Sequence, residues 1–289
     1  MNTLIYWLGR AFITCVQALP LRLVARLGRL VGGFAYCLTA RYRRVAVNNL
    51  TLVFGNEKSP GEIRLLAREN FRRLGENYAC AIKSAAMNFE QIRPHLEFRG
   101  FERFSPNHPG TPRPNILAAV GHFGNFELYA RVQDIVPHYQ VATTYRGLKH
   151  PAADRLLRSL RGQNGSLFFE RRADGEKLRE RMNRGGVFLG LLADQSSRGA
   201  HIPFLGHDCN TGLAPAVLAL RYDARLFSII CYRTGLAQWR IECEEEIRTR
   251  ENGFPRSSEA IMRDVNDALG KAVLRDPANW FWVHRRWKD

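Results

Sequence analysis

Short apolar runs alternate with amphipathic stretches from residue 113 onward. The runs 115–120 (NILAAV), 138–145 (HYQVATTY), 165–170 (GSLFFE), 186–193 (GVFLGLLA), 225–233 (RLFSIICYR) and 239–247 (WRIECEEEI) have strand length. The run 115–120, apolar with little alternation, suits a strand covered on both faces. Between them, 126–135, 151–161, 174–184 and 212–223 carry helical spacing. This order predicts an α/β fold, a mostly parallel central sheet flanked by helices.

The amino-terminal part reads differently. Arg10, Arg22, Arg26, Arg29 and Arg41 divide residues 1–44, leaving uncharged gaps of at most 11 residues. A spanning helix needs about 20 predominantly apolar residues, and no apolar core with a cleavage site is present. The periodicity is two-faced instead. Arg22, Arg26 and Arg29 form a basic stripe beside Leu23, Leu27, Leu30 and Phe34, with Tyr6 and Trp7 nearby and Pro20 between two helices. That pattern fits helices lying in the plane of an anionic membrane; amphipathic helices packed on the domain and a short membrane anchor near residues 4–20 are the alternatives. A long helix is expected over 60–86, starting at Ser59-Pro60-Gly61-Glu62, with Ile63, Leu66, Phe71, Leu74 and Tyr78 as its core face. The expected organisation is a membrane-associating segment 1–44 and an α/β domain 45–289. The domain comprises a helical lead-in 45–104, a Pro-rich loop 105–114 and a core 113–289.

Composition narrows the partners. A 289-residue chain that is 45% hydrophobic supports a large packed core. A net charge of +16 calls for an anionic partner: a membrane surface, a phosphorylated substrate, an acidic carrier protein or nucleic acid. No nucleic-acid recognition motif is visible, so no nucleic-acid partner is expected. Six scattered cysteines and eight histidines form no metal spacing, and there is no Walker A loop or GxGxxG. No metal and no nucleotide cofactor are expected.

The candidate chemistry starts at "AAVGHFGNFELYA" (118–130). Five residues of helix would turn His122 and Glu127 about 140° apart, and in a strand they would face opposite sides. A strand, a glycine turn and a helix capped by Asn125 could let them meet, with His122 at the carboxyl end of a strand, where open α/β sheets bind ligands. Such a pair would be a general base with its orienting carboxylate. The same residues also suit a loop histidine and a first-turn glutamate favoured by the helix dipole. Arg146, Asp194, Gln195, Arg198 and Arg233 follow other strand ends. They suit either one basic crevice or separate solvated loops.

Four stretches resemble the bacterial lipid A biosynthesis acyltransferases, the late lauroyl and myristoyl type. They are "GHFGNFE" (121–127), "LLADQSSRGAHIPFLGHDCNTGLAPAVLALR" (191–221), "ANWFWVHRRWK" (278–288) and "RRVAVNNLTLVFG" (43–55). The resemblance implies transfer of a fatty acyl chain from an acyl carrier protein thioester to a hydroxyl of a phosphorylated lipid A precursor, at the cytoplasmic face of the inner membrane. It implies His122 as general base and Glu127 as its partner. Arg146, Arg158, Asp194 and Arg198 would line the site, the arginines for phosphates. An acyltransferase for another membrane glycolipid, using acyl carrier protein or acyl-coenzyme A, and a catalytically inactive membrane-bound homologue are the alternatives. Phe126 stands where the family often has Trp.

Overall fold

The computed structural model describes residues 2–104, 113–161 and 164–288. Helices α1 (Asn2–Ala18), α2 (Leu21–Leu38), α3 (Ala40–Phe54), α4 (Pro60–Ala85) and α5 (Phe89–Ile92) precede strand β1 (Leu96–Arg99). The core then runs β2 (Ile116–Val120), α6 (Val132–Ile135), β3 (Gln140–Tyr145), α7 (Pro151–Ser159), β4 (Leu167–Glu170), α8 (Gly175–Asn183) and β5 (Val187–Leu192). A hairpin of β6 (Ser196–Phe204) and β7 (His207–Thr211) leads to α9 (Ala214–Arg221), β8 (Arg225–Gly235) and β9 (Gln238–Ile247). Two-residue strands β10 (Arg250–Glu251) and β11 (Phe254–Pro255) and helix α10 (Ser258–Arg275) follow, and a carboxyl-terminal strap, 276–288, ends the described residues.

All six expected strands form and join β1 in a seven-stranded sheet, order β1-β9-β8-β2-β5-β3-β4. The five strands β8, β2, β5, β3 and β4 are mutually parallel; β9 turns back against β8, and β1 runs with β9. Strand β2 is buried at every position, as its unbroken apolar sequence requires. One core, containing Leu117, Leu189, Val265 and Trp282, fills one face of the sheet, and a second, containing Ile116, Phe188, Val24 and Ile92, fills the other. The α/β architecture expected from the sequence is therefore the one observed.

Several details differ from expectation. Residues 126–131 form a 3-10 helix followed by the single turn α6, and Asn125 makes no capping bond. The turn is tied to its neighbours instead: Tyr129 Oη donates to the Gly121 carbonyl at 3.2 Å and Asn164 Nδ2 to the Ala130 carbonyl at 2.7 Å. Strand β1, the β6–β7 hairpin and α10 lie outside the elements that the sequence pattern predicts. The strands of the hairpin carry charges and Gly instead of an apolar run. The Pro-rich loop falls largely on 105–112, outside the described residues.

Helix α4 begins at the expected Ser59-Pro60-Gly61-Glu62 start, where Ser59 and Glu62 form a capping box. Ile63 and Phe71 face the core, but Tyr78 is exposed, and Asn70, Glu76 and Asn77 are buried in place of an apolar stripe. Helix α2 packs on α4 at glycine contacts: a Cβ on Gly32 would sit 2.1 Å from the Phe71 carbonyl oxygen. Arg29 turns inward to Glu69 and Glu76, so the exposed basic stripe reduces to Arg22 and Arg26. The apolar stripe Leu23, Leu27, Leu30 and Phe34 is exposed, as are Leu4, Trp7, Leu8 and Phe12 of α1. Helix α3 runs continuously through the boundary expected at 44/45. Among the described residues no single helix is long and apolar enough to cross a membrane; α2 and α3 pass that test only together, bent by 92°. All six cysteines are free, and Cys15 and Cys37 are exposed.

Candidate active site

The parallel pairing of β2 with β5 builds the centre of the site. Val120 stands opposite Leu192, and the Ala193 N–H donates to the Val120 carbonyl at 2.8 Å. One step beyond these pairs, His122 meets Asp194. Its backbone N–H donates to Asp194 Oδ2 at 2.7 Å, and its Nδ1 lies 2.8 Å from Asp194 Oδ1. Glycine is needed in this turn. Gly124 has φ +50°, and a Cβ there would lie 2.6 Å from the Cys231 carbonyl oxygen.

Asp194 is 1% exposed and accepts a third bond, from Trp280 Nε1 at 2.8 Å. Burial opposes its ionisation. The neighbouring imidazole and the N–H donors of His122 and Trp280 outweigh that cost and hold the carboxyl below its ordinary value. A carboxylate held this way fixes the proton on Nδ1 and leaves Nε2 as an acceptor. Phe126 and Phe281 flank the ring at centroid distances of 5.0 and 5.6 Å. The Gln195 amide nitrogen lies 3.3 and 3.4 Å from the two ring nitrogens, so it sits beside the ring instead of along one lone pair.

The imidazole opens on a cleft of about 980 Å³, lined by apolar side chains such as Leu148, Phe168 and Leu191 and by Glu127, Arg146 and Arg161. Expected and observed contacts part here. Among the described residues Glu127 makes no hydrogen bond to His122; it accepts two bonds from Arg161, Nε to Oε2 at 3.0 Å and a terminal nitrogen to Oε1 at 2.5 Å. The geometric reason is that the 3-10 turn carries Glu127 along the cleft wall toward α7, while strand register delivers Asp194 to the ring. Arg161 also covers the rings of Tyr145 and Phe168.

The remaining candidates scatter. Arg146 is exposed on the cleft wall beside Arg171, and neither makes an ion pair among the described residues. Arg158 is 60% exposed, paired with Asp154, and off the cleft wall. Arg198 is exposed on β6, also off that wall. Arg233 points away from the cleft to Glu76, a fully buried carboxylate that also binds Arg29. Its place at the end of β8 put it on the right sheet edge but on a side committed to that ion pair. Among the described residues no group of three or more His, Cys, Asp or Glu could hold a metal.

The carboxyl-terminal segment completes the site, and sequence periodicity gave no sign of this. Phe123 forms an antiparallel bridge with Trp280, and the Gly124 N–H donates to the Asn279 carbonyl at 3.1 Å. His284 Nε2 accepts the Ser196 N–H at 3.2 Å, an acceptor role that requires the neutral ring on that nitrogen. Burial, opposed by Asp194, pushes its proton affinity below the ordinary value. Arg286 is fully buried, donating to the Asn210 carbonyl at 2.5 Å and to Thr211 Oγ1 at 2.8 Å.

The whole chain, residues 1–289, matches a family described as bacterial lipid A biosynthesis acyltransferase. Among curated proteins it is 21% identical to the lipid A biosynthesis palmitoleoyltransferase of Escherichia coli K12, over 98% of this chain and 90% of that protein. The same identity and coverage hold for the lipid A biosynthesis acyltransferase of Shigella flexneri.

Proposed function

Since the chain belongs to the bacterial lipid A biosynthesis acyltransferase family and is an acyltransferase of lipid A synthesis, we propose that it transfers a fatty acyl chain from an acyl carrier protein thioester to a hydroxyl of a phosphorylated lipid A precursor. The acceptor is a 3-hydroxyl on an acyl chain already in place, so the reaction is a secondary acylation. Acyl-coenzyme A is the alternative donor. The observation that carries this reading is His122, its Nδ1 bound to a buried carboxylate and its ring facing an apolar cleft of about 980 Å³.

The steps follow from that geometry. Nε2 of His122 takes the acceptor hydroxyl's proton as the oxygen attacks the thioester carbonyl; a secondary alcohol is too weak a nucleophile without this. Asp194 stabilises the imidazolium that forms. Collapse of the tetrahedral intermediate expels the thiolate, which recovers the proton from His122. Glu127 and Arg161 form a charge pair on the wall beside the base, and Arg146 and Arg171 at its mouth suit the phosphates of donor or acceptor by fork geometry and permanent charge.

The setting we propose is the cytoplasmic face of the inner membrane. The exposed apolar residues of α1 and α2, with Arg22 and Arg26, support contact with an anionic bilayer. The test is mass spectrometry of lipid A from cells lacking the gene, complemented with the parent or with His122→Ala. The parent restores one acyl chain and His122→Ala does not. Restoration by a stably expressed His122→Ala protein would overturn the mechanism.

A further inference from the structure

We propose that Trp280 is a positioning residue for this reaction: its indole N–H fixes Asp194, and through Asp194 the imidazole of His122, and it is itself held by a carboxyl-terminal strap pinned from α3 and α4. The inference rests on the reading of His122 as general base.

Four observations carry it. The indole donates to Asp194 Oδ2, the oxygen that also takes the His122 backbone N–H, leaving Oδ1 to face Nδ1. Trp280 and Asp194 are each 1% exposed, so no water replaces a lost partner without rearrangement. The ring is wedged edge-on against Trp282 and Trp287, with centroids at 4.7 and 6.0 Å. The strap's backbone is clamped by two buried asparagines. Asn70 Nδ2 donates to the carbonyls of Ala278 and Trp280 at 3.0 and 2.5 Å, and Asn49 Nδ2 to those of Trp282 and His284 at 2.8 and 2.7 Å. Four strap carbonyls held by two side chains 21 positions apart in sequence leave the indole one place to stand. A carboxylate that must direct one oxygen at a ring nitrogen needs its other oxygen fixed, and the indole N–H is the side-chain donor that does so, beside the His122 backbone N–H.

Asp194 is faced by His122 from the turn after β2, by Tyr129 from the 3-10 helix, and by His284 and Arg286 from the strap. Of these, His122 hydrogen-bonds it, and the Trp280 indole supplies the other side-chain donor. Losing the indole donor disfavours the carboxylate. Asp194 then takes up a proton at higher pH, and the base loses its orienting partner there.

The experiment compares purified full-length parent, Trp280→Phe, Trp287→Phe, Asn70→Ser and His122→Ala across pH with a thioester donor and lipid A precursor. Trp280→Phe keeps an aromatic ring and removes the donor. It is expected to lower kcat about 10- to 100-fold, the equivalent of one hydrogen bond to a charged group, with KM within twofold and the acid limb of the pH–rate profile moved to higher pH. Trp287→Phe loosens the same aromatic cluster without touching Asp194 and should leave that limb in place. Asn70→Ser frees the Trp280 carbonyl and should move the limb in the same direction by less, which decides the matter if Trp280→Phe does not fold. An unmoved limb in a folded Trp280→Phe, or equal shifts in Trp280→Phe and Trp287→Phe, overturns the inference. Turnover retained by His122→Ala overturns the underlying reading instead.

Discussion

Replacing Asp194 with Asn separates charge from shape at the centre of the site. The two oxygens are not equivalent: Oδ2 receives two N–H groups, from His122 and Trp280, whereas Oδ1 faces one ring nitrogen. If the new NH2 took the Oδ2 position, it would confront both donors and leave two buried N–H groups unsatisfied, about 2–6 kcal/mol in all at roughly 1–3 kcal/mol each. The amide therefore places its oxygen there and turns its NH2 toward Nδ1. Nδ1 must then accept, the ring proton moves to Nε2, and the nitrogen facing the cleft can no longer take a proton. Inverting the tautomer of a general-base histidine costs on the order of 10⁴ in kcat. Single-turnover transfer from a labelled thioester donor, on Asp194→Asn protein with the parent's circular dichroism and melting temperature, measures it. A kcat within tenfold of the parent would refute the orienting role of Asp194 and return attention to Glu127.

Two more outcomes are expected. His284 has a lowered proton affinity in the fold, so between its ordinary value of 6.5 and its folded value the unfolded chain binds more protons. Stability falls as pH drops through that window, and His284→Gln, which keeps an acceptor for the Ser196 N–H, should flatten the slope in denaturant melts at pH 7 and pH 5; an unchanged slope counts against it. Trp7 and Phe12 are 62% and 60% exposed. Exchanging both for Ser should weaken sedimentation with anionic vesicles at least about tenfold, from roughly 1.5–3 kcal/mol per large apolar side chain buried, and parent binding should fall with added salt; equal sedimentation of the two proteins would remove α1 from the membrane contact.

What the sequence determined by itself is local. Nearly unbroken apolar runs marked β2 and β5, because a strand covered on both faces has few polar positions to spare, whereas β9 alternates buried and half-buried residues along its first half. The glycines of "GHFGNFE" marked an irregular turn after β2, and Gly124 at φ +50° makes it, although the His122–Glu127 contact from which the turn was argued is replaced by Glu127–Arg161. The two-faced periodicity of residues 21–38 produced α2 with its apolar stripe exposed. Only the tertiary structure decided who meets whom. Asp194 was legible as a charged residue ending a strand. That β5 lies next to β2, bringing residues 72 apart into hydrogen-bond range, depends on strand order, which no local pattern encodes. Glu127 was near His122 in sequence, yet the cleft wall gave it to Arg161. Asn49, Asn70 and Trp280 showed no periodic signal, because each satisfies buried polar groups of a distant segment, and such a partnership exists only once the chain has closed around it.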